Sequence, residues 1–392
     1  MRSWFRDTII YQIFIDRFAG FPEITGWEKP KFLGGNLRGI IEKLDYLYDL
    51  GVTALWLSPF CQTSAYHGYH ITDFFKVDPD FGTEEELKEL ISRAHAKNLR
   101  IITDFVPNHC SAYHPIFQKA QNDRDSLFYN WFYFKKWPDD YLCFLDFKIL
   151  PKFNLDNKQV GRHLIDAAKH WLYMGIDGFR IDHAIGIPHT FLKMLNKEVK
   201  AVNPEAVLIG EAWIAGMSFK YLKTIRIKNK YLRWLTGIGQ ESVEKEYYGE
   251  LDGVLDFYFR DRIIEYIAWK EKPEDYTTVL HEKLQHHYRN FPDDYLLPSF
   301  IDNHDMSRFL FECGQNREKM KKALELQFSL PHPPVIYYGT ETGLSHHKPV
   351  LVNEGFSDIQ ARRPMPWQRL DKEMLDFTRA LIQKRKSGNG NR

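Results

Sequence analysis

The stretch LRIITDFVPNH (99–109) joins an apolar run to a polar end. Leu99–Phe105 is mostly apolar and not alternating, the pattern of a parallel strand buried on both faces. Its far end delivers Asp104, Asn108 and His109 together. The same plan recurs in Thr8–Phe14, Val52–Ser58, Asp177–Asp182, Ala206–Glu211, Val254–Phe259, Leu297–Asp302 and Pro334–Tyr338. With Leu99–Phe105 these make eight strands. Helical stripes lie between them. Ile40, Ile41, Leu44, Leu47 and Tyr48 form one, stopped by Gly51. Leu87, Leu90, Ile91 and Ala94 form another, opened by a Thr83/Glu86 capping box. Leu164, Ile165, Ala168, Trp171 and Leu172 end at Gly175, and Met320, Leu324 and Phe328 end at Pro331. Eight strands alternating with helices predict an α/β fold, a closed (β/α)8 TIM barrel. An open doubly wound sheet offers no reason for eight.

One interval, Phe105 to Asp177, is far longer than the others and holds the aromatic run FYNWFYFKKWPDDYLCFLDF. Residues 108–158 therefore read as a small domain inserted after the third strand. Residues 1–107 and 159–386 form the barrel, and 387–392 form a disordered tail. A second excursion, 214–250, reads as helical or as a lid. No internal repeat or low-complexity segment interrupts the pattern.

Lysine plus arginine number 53 and aspartate plus glutamate 52, a formal net charge of +1. That balance argues against a nucleic-acid binder. No apolar run is long enough to span a membrane, and the opening MRSWFRDTIIYQIF is unlike a secretory signal. Cys61, Cys110, Cys143 and Cys313 are widely spaced with no CxxC, a reduced set. A cytoplasmic chain, monomeric or homodimeric, is the expectation. Aromatic residues make up 15%; most suit a large core, and the rest suit stacking on sugar faces.

In an α/β barrel the C-terminal strand ends converge on one mouth. The polar residues at those ends are Asp104, Asn108 and His109; Arg180, Asp182 and His183; Glu211; and Asp302, Asn303, His304 and Asp305. His67, Tyr69, His70 and Asp73 follow the second strand. A lone strand-end acid is usually a cap or an ion-pair partner. Three acids with arginine and histidines at one rim suit acetal cleavage, which needs a proton donor and a carboxylate at the anomeric carbon. Arg180, two residues before Asp182, shares its strand face and keeps it ionised as a nucleophile requires. Glu211 is the expected acid, its proton affinity raised by neighbouring carboxylates. A zinc site is the rival, but no HxH or HExxH occurs. His286-His287 and His346-His347 read as polar loop pairs.

DFVPNH (104–109), GFRIDHAIG (178–186), GEAW (210–213) and FIDNHD (300–305) together closely resemble, in order, the four short motifs of the alpha-amylase family of glycoside hydrolases. LPKFN (151–155) is similar to a fifth motif in its neopullulanase-like members. The resemblance spans roughly residues 5–370 and implies a retaining double displacement on α-glucans or maltooligosaccharides. It implies Asp182 as nucleophile, Glu211 as general acid/base and Asp305 as transition-state stabiliser. Tyr69, His109, Arg180 and His304 would bind the sugar at the cleavage point, Asp358 and Arg362 would hold the next sugar, and Asp104 would support them. No cofactor is required. Asn108 matches a calcium ligand of many members, the single metal the resemblance admits. Ile185-Gly186 stands where many members carry Lys-His, which leaves hydrolysis against 4-α-glucanotransfer, and linkage preference, open. The C-terminal β-sandwich of most members has no counterpart expected here.

Overall fold

The computed structural model describes residues 4–22, 25–214, 222–237, 239–352, 355–356 and 358–389. Eight parallel strands alternate with helices along the chain, as the sequence predicts: β1 (Ile10–Ile13), β2 (Ala54–Leu57), β3 (Arg100–Phe105), β4 (Gly178–Ile181), β5 (Val207–Gly210), β6 (Gly253–Val254), β7 (Ser299–Phe300) and β8 (Pro334–Tyr337). The chain divides into two compact units. One comprises Met1–Leu57, Glu89–Ile101 and Leu255–Arg392, the other Ser58–Lys88 and Ile102–Val254.

In the first unit the strand order is β2-β1-β8-β7. Ile10 pairs with both Ala54 and Val335, and Ser299 pairs with Pro334. Every residue of β1, β2 and β8 is buried, which explains their continuous apolar sequences. The helical stripe at 40–48 is two helices, Leu37–Glu42 and Leu44–Leu50, broken at Lys43. Asn36 caps the first by accepting from the Gly39 N–H at 2.8 Å. Gly51, at φ 97°, ends the second in the left-handed region that glycine enters without strain.

In the second unit the order is β3-β4-β5-β6. Asp104 pairs with Arg180, and Arg180 with Ile209. Helix Lys158–Met174 is capped by Asn157 and closed by Gly175. It packs on helix His189–Val202. Trp171 anchors it: the ring is 1% exposed, its Nε1–H donates to the Phe74 carbonyl at 2.9 Å, and Phe60 meets it edge-on at 4.8 Å. Thr83 and Glu86 close the expected capping box, each accepting from the other's backbone N–H.

Residues 108–158 lie wholly within this second unit. They hold helix Pro115–Asn122 and the short antiparallel pair Phe134–Lys136 with Asp140–Tyr141. Their rings pack on one another: Phe117 meets Phe132 at 4.8 Å and Tyr141 at 4.9 Å, and Phe132 stacks on Phe153 at 5.3 Å. These aromatic residues serve packing. The excursion 214–250 contains helices Lys230–Thr236 and Gln240–Glu244; its residues 215–221 and 238 lie outside the described set.

Three expectations need correction. Val254–Phe259 is not one strand: β6 ends at Val254, and Asp256 caps a helix Phe257–Ile263 by accepting from the Phe259 N–H at 2.7 Å. An apolar run that short has no period to tell the two apart. Leu297–Asp302 narrows to Ser299–Phe300. The last helix runs from Lys372 to Asn389, so 387–389 are helical and not a tail; 390–392 lie outside the described residues. Among the described residues no helix is long and apolar enough to cross a membrane.

Replacing Trp171 by Ala removes a buried indole and its hydrogen bond to the Phe74 carbonyl. Urea unfolding is expected to show a loss of about 3–5 kcal/mol. Tyr173→Ala, on the same helix but 75% exposed, is expected to change stability by no more than about 0.5 kcal/mol. Equal losses in the two variants would contradict this packing.

Candidate active site

The second unit brings Asp104, Arg180, Asp182, Glu211 and Tyr69 into one network. Register places Asp104 beside Arg180, so the two side chains leave the sheet on the same side. Arg180 Nη1 lies 2.8 Å from Asp104 Oδ1 and 3.0 Å from Asp182 Oδ1, and Nη2 lies 2.5 Å from Glu211 Oε1. The Tyr69 hydroxyl donates to the other Asp104 oxygen at 2.7 Å. Arg180 is 1% exposed, Asp182 7% and Glu211 8%. Burial works against the Arg180 charge, yet Asp104 and Glu211 outweigh it and push its pKa well up.

Glu211 bridges Arg180 and the turn after β4. Its Oε1 faces Arg180, and its Oε2 accepts from the His183 backbone N–H at 2.9 Å. His183 reaches Glu211 from a left-handed backbone, φ 45°, a conformation costly for a non-glycine residue and frequent at functional sites. Burial pushes its imidazole down to about 3, helped by Lys152 and Arg180. Burial likewise pushes His109 well down, so both rings are neutral. Phe144 stacks on His109 at 4.8 Å and meets His183 edge-on at 4.7 Å.

Beneath these rings lies a residue that sequence reasoning passed over. Lys152, the lysine of LPKFN, is 2% exposed. Its ammonium donates to Asn108 Oδ1 and, at 2.6 Å, to the Gly186 carbonyl. The available signal was a lysine inside an otherwise apolar motif. Asn108 is the residue matched to a calcium ligand, and the oxygen a cation would need is already taken. A dication bound there would face a buried ammonium, so this donor set does not fit calcium. Burial pushes the Lys152 pKa down to about 7. A Cβ on Gly186 would come within 2.5 Å of Asn108 Oδ1 and His183 Cδ2, and Ile185 is fully buried. The departure from Lys-His at 185–186 thus belongs to a packed loop.

In the first unit His304, Asp305, Asp358 and Arg362 form a group of their own. Asp305 Oδ1 lies 2.9 Å from Arg362 Nη2, and Oδ2 lies 2.9 Å from His304 Nε2. Arg362 also reaches Asp358 at 2.6 Å and donates from Nε to the His304 carbonyl at 3.0 Å. Burial pushes Asp358 up while Arg362 opposes the shift. Arg362, 3% exposed, is therefore a clamp on Asp305, a contact the sequence did not reveal.

Other candidates have structural duties. Asp302 accepts from the Phe309 N–H and, at 2.7 Å, from the Thr340 hydroxyl. Asn303 accepts from the Asp305 N–H. Asp73 turns to Lys76 and the Phe75 N–H, and His67 accepts from the Tyr69 N–H while its ring meets His70 at 4.5 Å. The histidine pair 286–287 lies on helix Thr277–Arg289, not in a loop, with His287 buried 3.3 Å from Asp256. His346 is buried and accepts from the Arg308 N–H.

Residues 12–382 match the alpha-amylase catalytic-domain family. The chain is 36% identical to Alpha-amylase 2 of Dictyoglomus thermophilum, over 98% of this chain and 64% of that protein. It is 31% identical to a cyclomaltodextrinase of Geobacillus thermopakistaniensis, over 98% of this chain and 63% of that protein. It therefore spans just under two thirds of the length of these curated relatives. The cyclic alpha-maltosyl-(1→6)-maltose hydrolase from Arthrobacter globiformis superposes with a TM-score of 0.81 at 28% identity, over 97% of this chain and 83% of that one. With the ordered motifs and the eight parallel strands, these likenesses make the chain a member of the alpha-amylase catalytic-domain family.

Proposed function

We propose that this chain is a retaining α-glycosidase that cleaves α-1,4 linkages of α-glucans or maltooligosaccharides through a covalent glycosyl-enzyme intermediate. The observation that carries this reading is Arg180 held against Asp104, Asp182 and Glu211 at 2.5–3.0 Å. That pairing sets a cation against Asp182, as a carboxylate nucleophile requires. Asp182 attacks the anomeric carbon while Glu211, protonated, gives its proton to the departing oxygen. Glu211 then takes a proton from water, the water oxygen attacks the same carbon, and Asp182 is released. For the first step Glu211 must exchange its contact with Arg180 for a proton. Tyr69 and His109 bind the sugar, and Asp305 and His304 take the stabilising and binding roles by their places in FIDNHD. Arg180 acts as a positioning residue for the two reacting carboxylates.

A second reading is favoured by the likeness to a cyclomaltodextrinase: the same intermediate would open cyclic maltodextrins or pass its glycosyl group to another sugar. Products from maltoheptaose and β-cyclodextrin, with and without an added acceptor sugar, separate these readings. A non-catalytic sugar-binding barrel is disfavoured because Asp182, Glu211 and Asp305 are all present. The four described cysteines are buried and unbridged, which supports a reducing, cytoplasmic compartment. We further propose that Lys152 does locally what a bound cation would do, tying the insert to the loops after β3 and β4.

Two outcomes are expected. With a chromogenic maltooligosaccharide, Glu211→Gln should lower kcat by roughly 10²–10⁴-fold and Asp182→Asn by more, and NMR of the native reaction should show the α-anomer first. A β-anomer, or full activity in Asp182→Asn, would overturn the mechanism. Chelation by EDTA should leave activity and melting temperature unchanged, whereas Lys152→Met, by orphaning Asn108 Oδ1 and the Gly186 carbonyl, should cost about 1–3 kcal/mol. Because folding lowers the Lys152 pKa, the unfolded chain binds the extra proton between about pH 7 and 10, so the native protein gains on Lys152→Met as pH rises through that window. A stability difference that shrinks with pH, or a loss of activity on chelation, would contradict it.

A further inference from the structure

Gln12 is the one polar side chain in β1, IYQI, and it is 2% exposed. A carboxamide inside a strand buried throughout is costly unless it is hydrogen-bonded. Its Nε2 lies 3.0 Å from His304 Nδ1. The other ring nitrogen, Nε2, lies 2.9 Å from Asp305 Oδ2. Among the described residues Gln12 Oε1 has no partner.

We infer that Gln12 is a positioning residue that fixes the tautomer of His304 and, through it, the orientation of Asp305. A carboxylate oxygen only accepts, so the His304 nitrogen facing Asp305 must carry the hydrogen. In a neutral ring Nδ1 is then a lone pair, and it needs a donor. The NH2 of Gln12 supplies it. The flipped amide would set its oxygen on Nδ1 and call for a hydrogen on both ring nitrogens. Arg362 already brings a positive charge to Asp305 Oδ1 at 2.9 Å, so His304 has only a hydrogen-bond donor to supply. Phe14, the residue directly after β1, flanks the same ring at 6.2 Å and underlies the Arg362 guanidinium at 5.1 Å. β1 and the residue after it therefore touch both groups that grip Asp305: Gln12 meets His304, and Phe14 lies beneath Arg362. Both Asp305 oxygens are engaged before any sugar arrives, which is the preorganisation that charge stabilisation needs. The catalytic consequence rests on the role proposed for Asp305; the tautomer does not.

NMR of ring nitrogens in isotope-labelled histidine tests this, with His304→Ala used only to assign the signal. The native protein at neutral pH should show His304 with a lone pair on Nδ1 and a hydrogen on Nε2. Gln12→Glu, nearly the same shape, replaces the donor by an acceptor and should give hydrogens on both nitrogens. Gln12→Leu should keep the hydrogen on Nε2, held by Asp305, and shift the Nδ1 signal by loss of its donor. Activity should fall in both variants, on the order of 10- to 100-fold, the scale seen when the orienting partner of a metal-bound histidine is removed. That loss should be larger in kcat than in KM, because the orientation of Asp305 matters most in the transition state. A hydrogen on Nδ1 in the native protein, or an unchanged His304 signal in Gln12→Glu, would overturn the inference. If the native protein shows the expected tautomer but cleaves no α-glucoside, the proposed activity fails and the tautomer assignment stands.

Discussion

A single guanidinium, that of Arg180, organises the chemistry. It is buried to 1% exposure and touches carboxylates from three consecutive strand ends, Asp104, Asp182 and Glu211. A cation so desolvated is tolerable only when paired with good geometry. Removing it would leave three acids to repel one another. With it, the group keeps an excess of negative charge, which suits a neutral sugar that becomes cationic in the transition state. The planar fork matters too: Nη1 serves Asp104 and Asp182 while Nη2 serves Glu211, a division a lysine ammonium could not reproduce.

The first-unit group repeats that logic with different parts. Asp305 is gripped on one oxygen by Arg362 and on the other by His304, and each gripping side chain is itself held. Arg362 is tied to Asp358 and to the His304 carbonyl; His304 is tied to Gln12. Lys152 does the corresponding work below His109 and His183 by joining Asn108 to Gly186. In each case a buried polar side chain removes rotational freedom from its neighbour, as a site that must meet charge without reorganising requires.

Asp104, Asp182 and Glu211 were readable as neighbours because each stands at the end of an apolar run long enough to be a strand, and Arg180 joins them. The spacing of Asp358 and Arg362 pointed to a pair, and they form one. Other features escaped for a physical reason. Gln12 and His304 are 292 positions apart, Arg362 and Asp305 57, and Lys152 and Asn108 44, so no local pattern announces these contacts. Val254–Phe259 misled because a short apolar run serves strand and helix equally, and the decision passed to Asp256 as a cap.

The central claim is that Asp182, freed for attack by Arg180, becomes covalently joined to sugar. A fluorinated α-glucosyl fluoride that forms the intermediate quickly and hydrolyses it slowly can trap that bond. Peptide mapping by mass spectrometry should then find one added glycosyl group, on the tryptic fragment that begins after Arg180 and contains Asp182. An adduct on another carboxylate, or substrate turnover with no adduct under trapping conditions, would contradict the account.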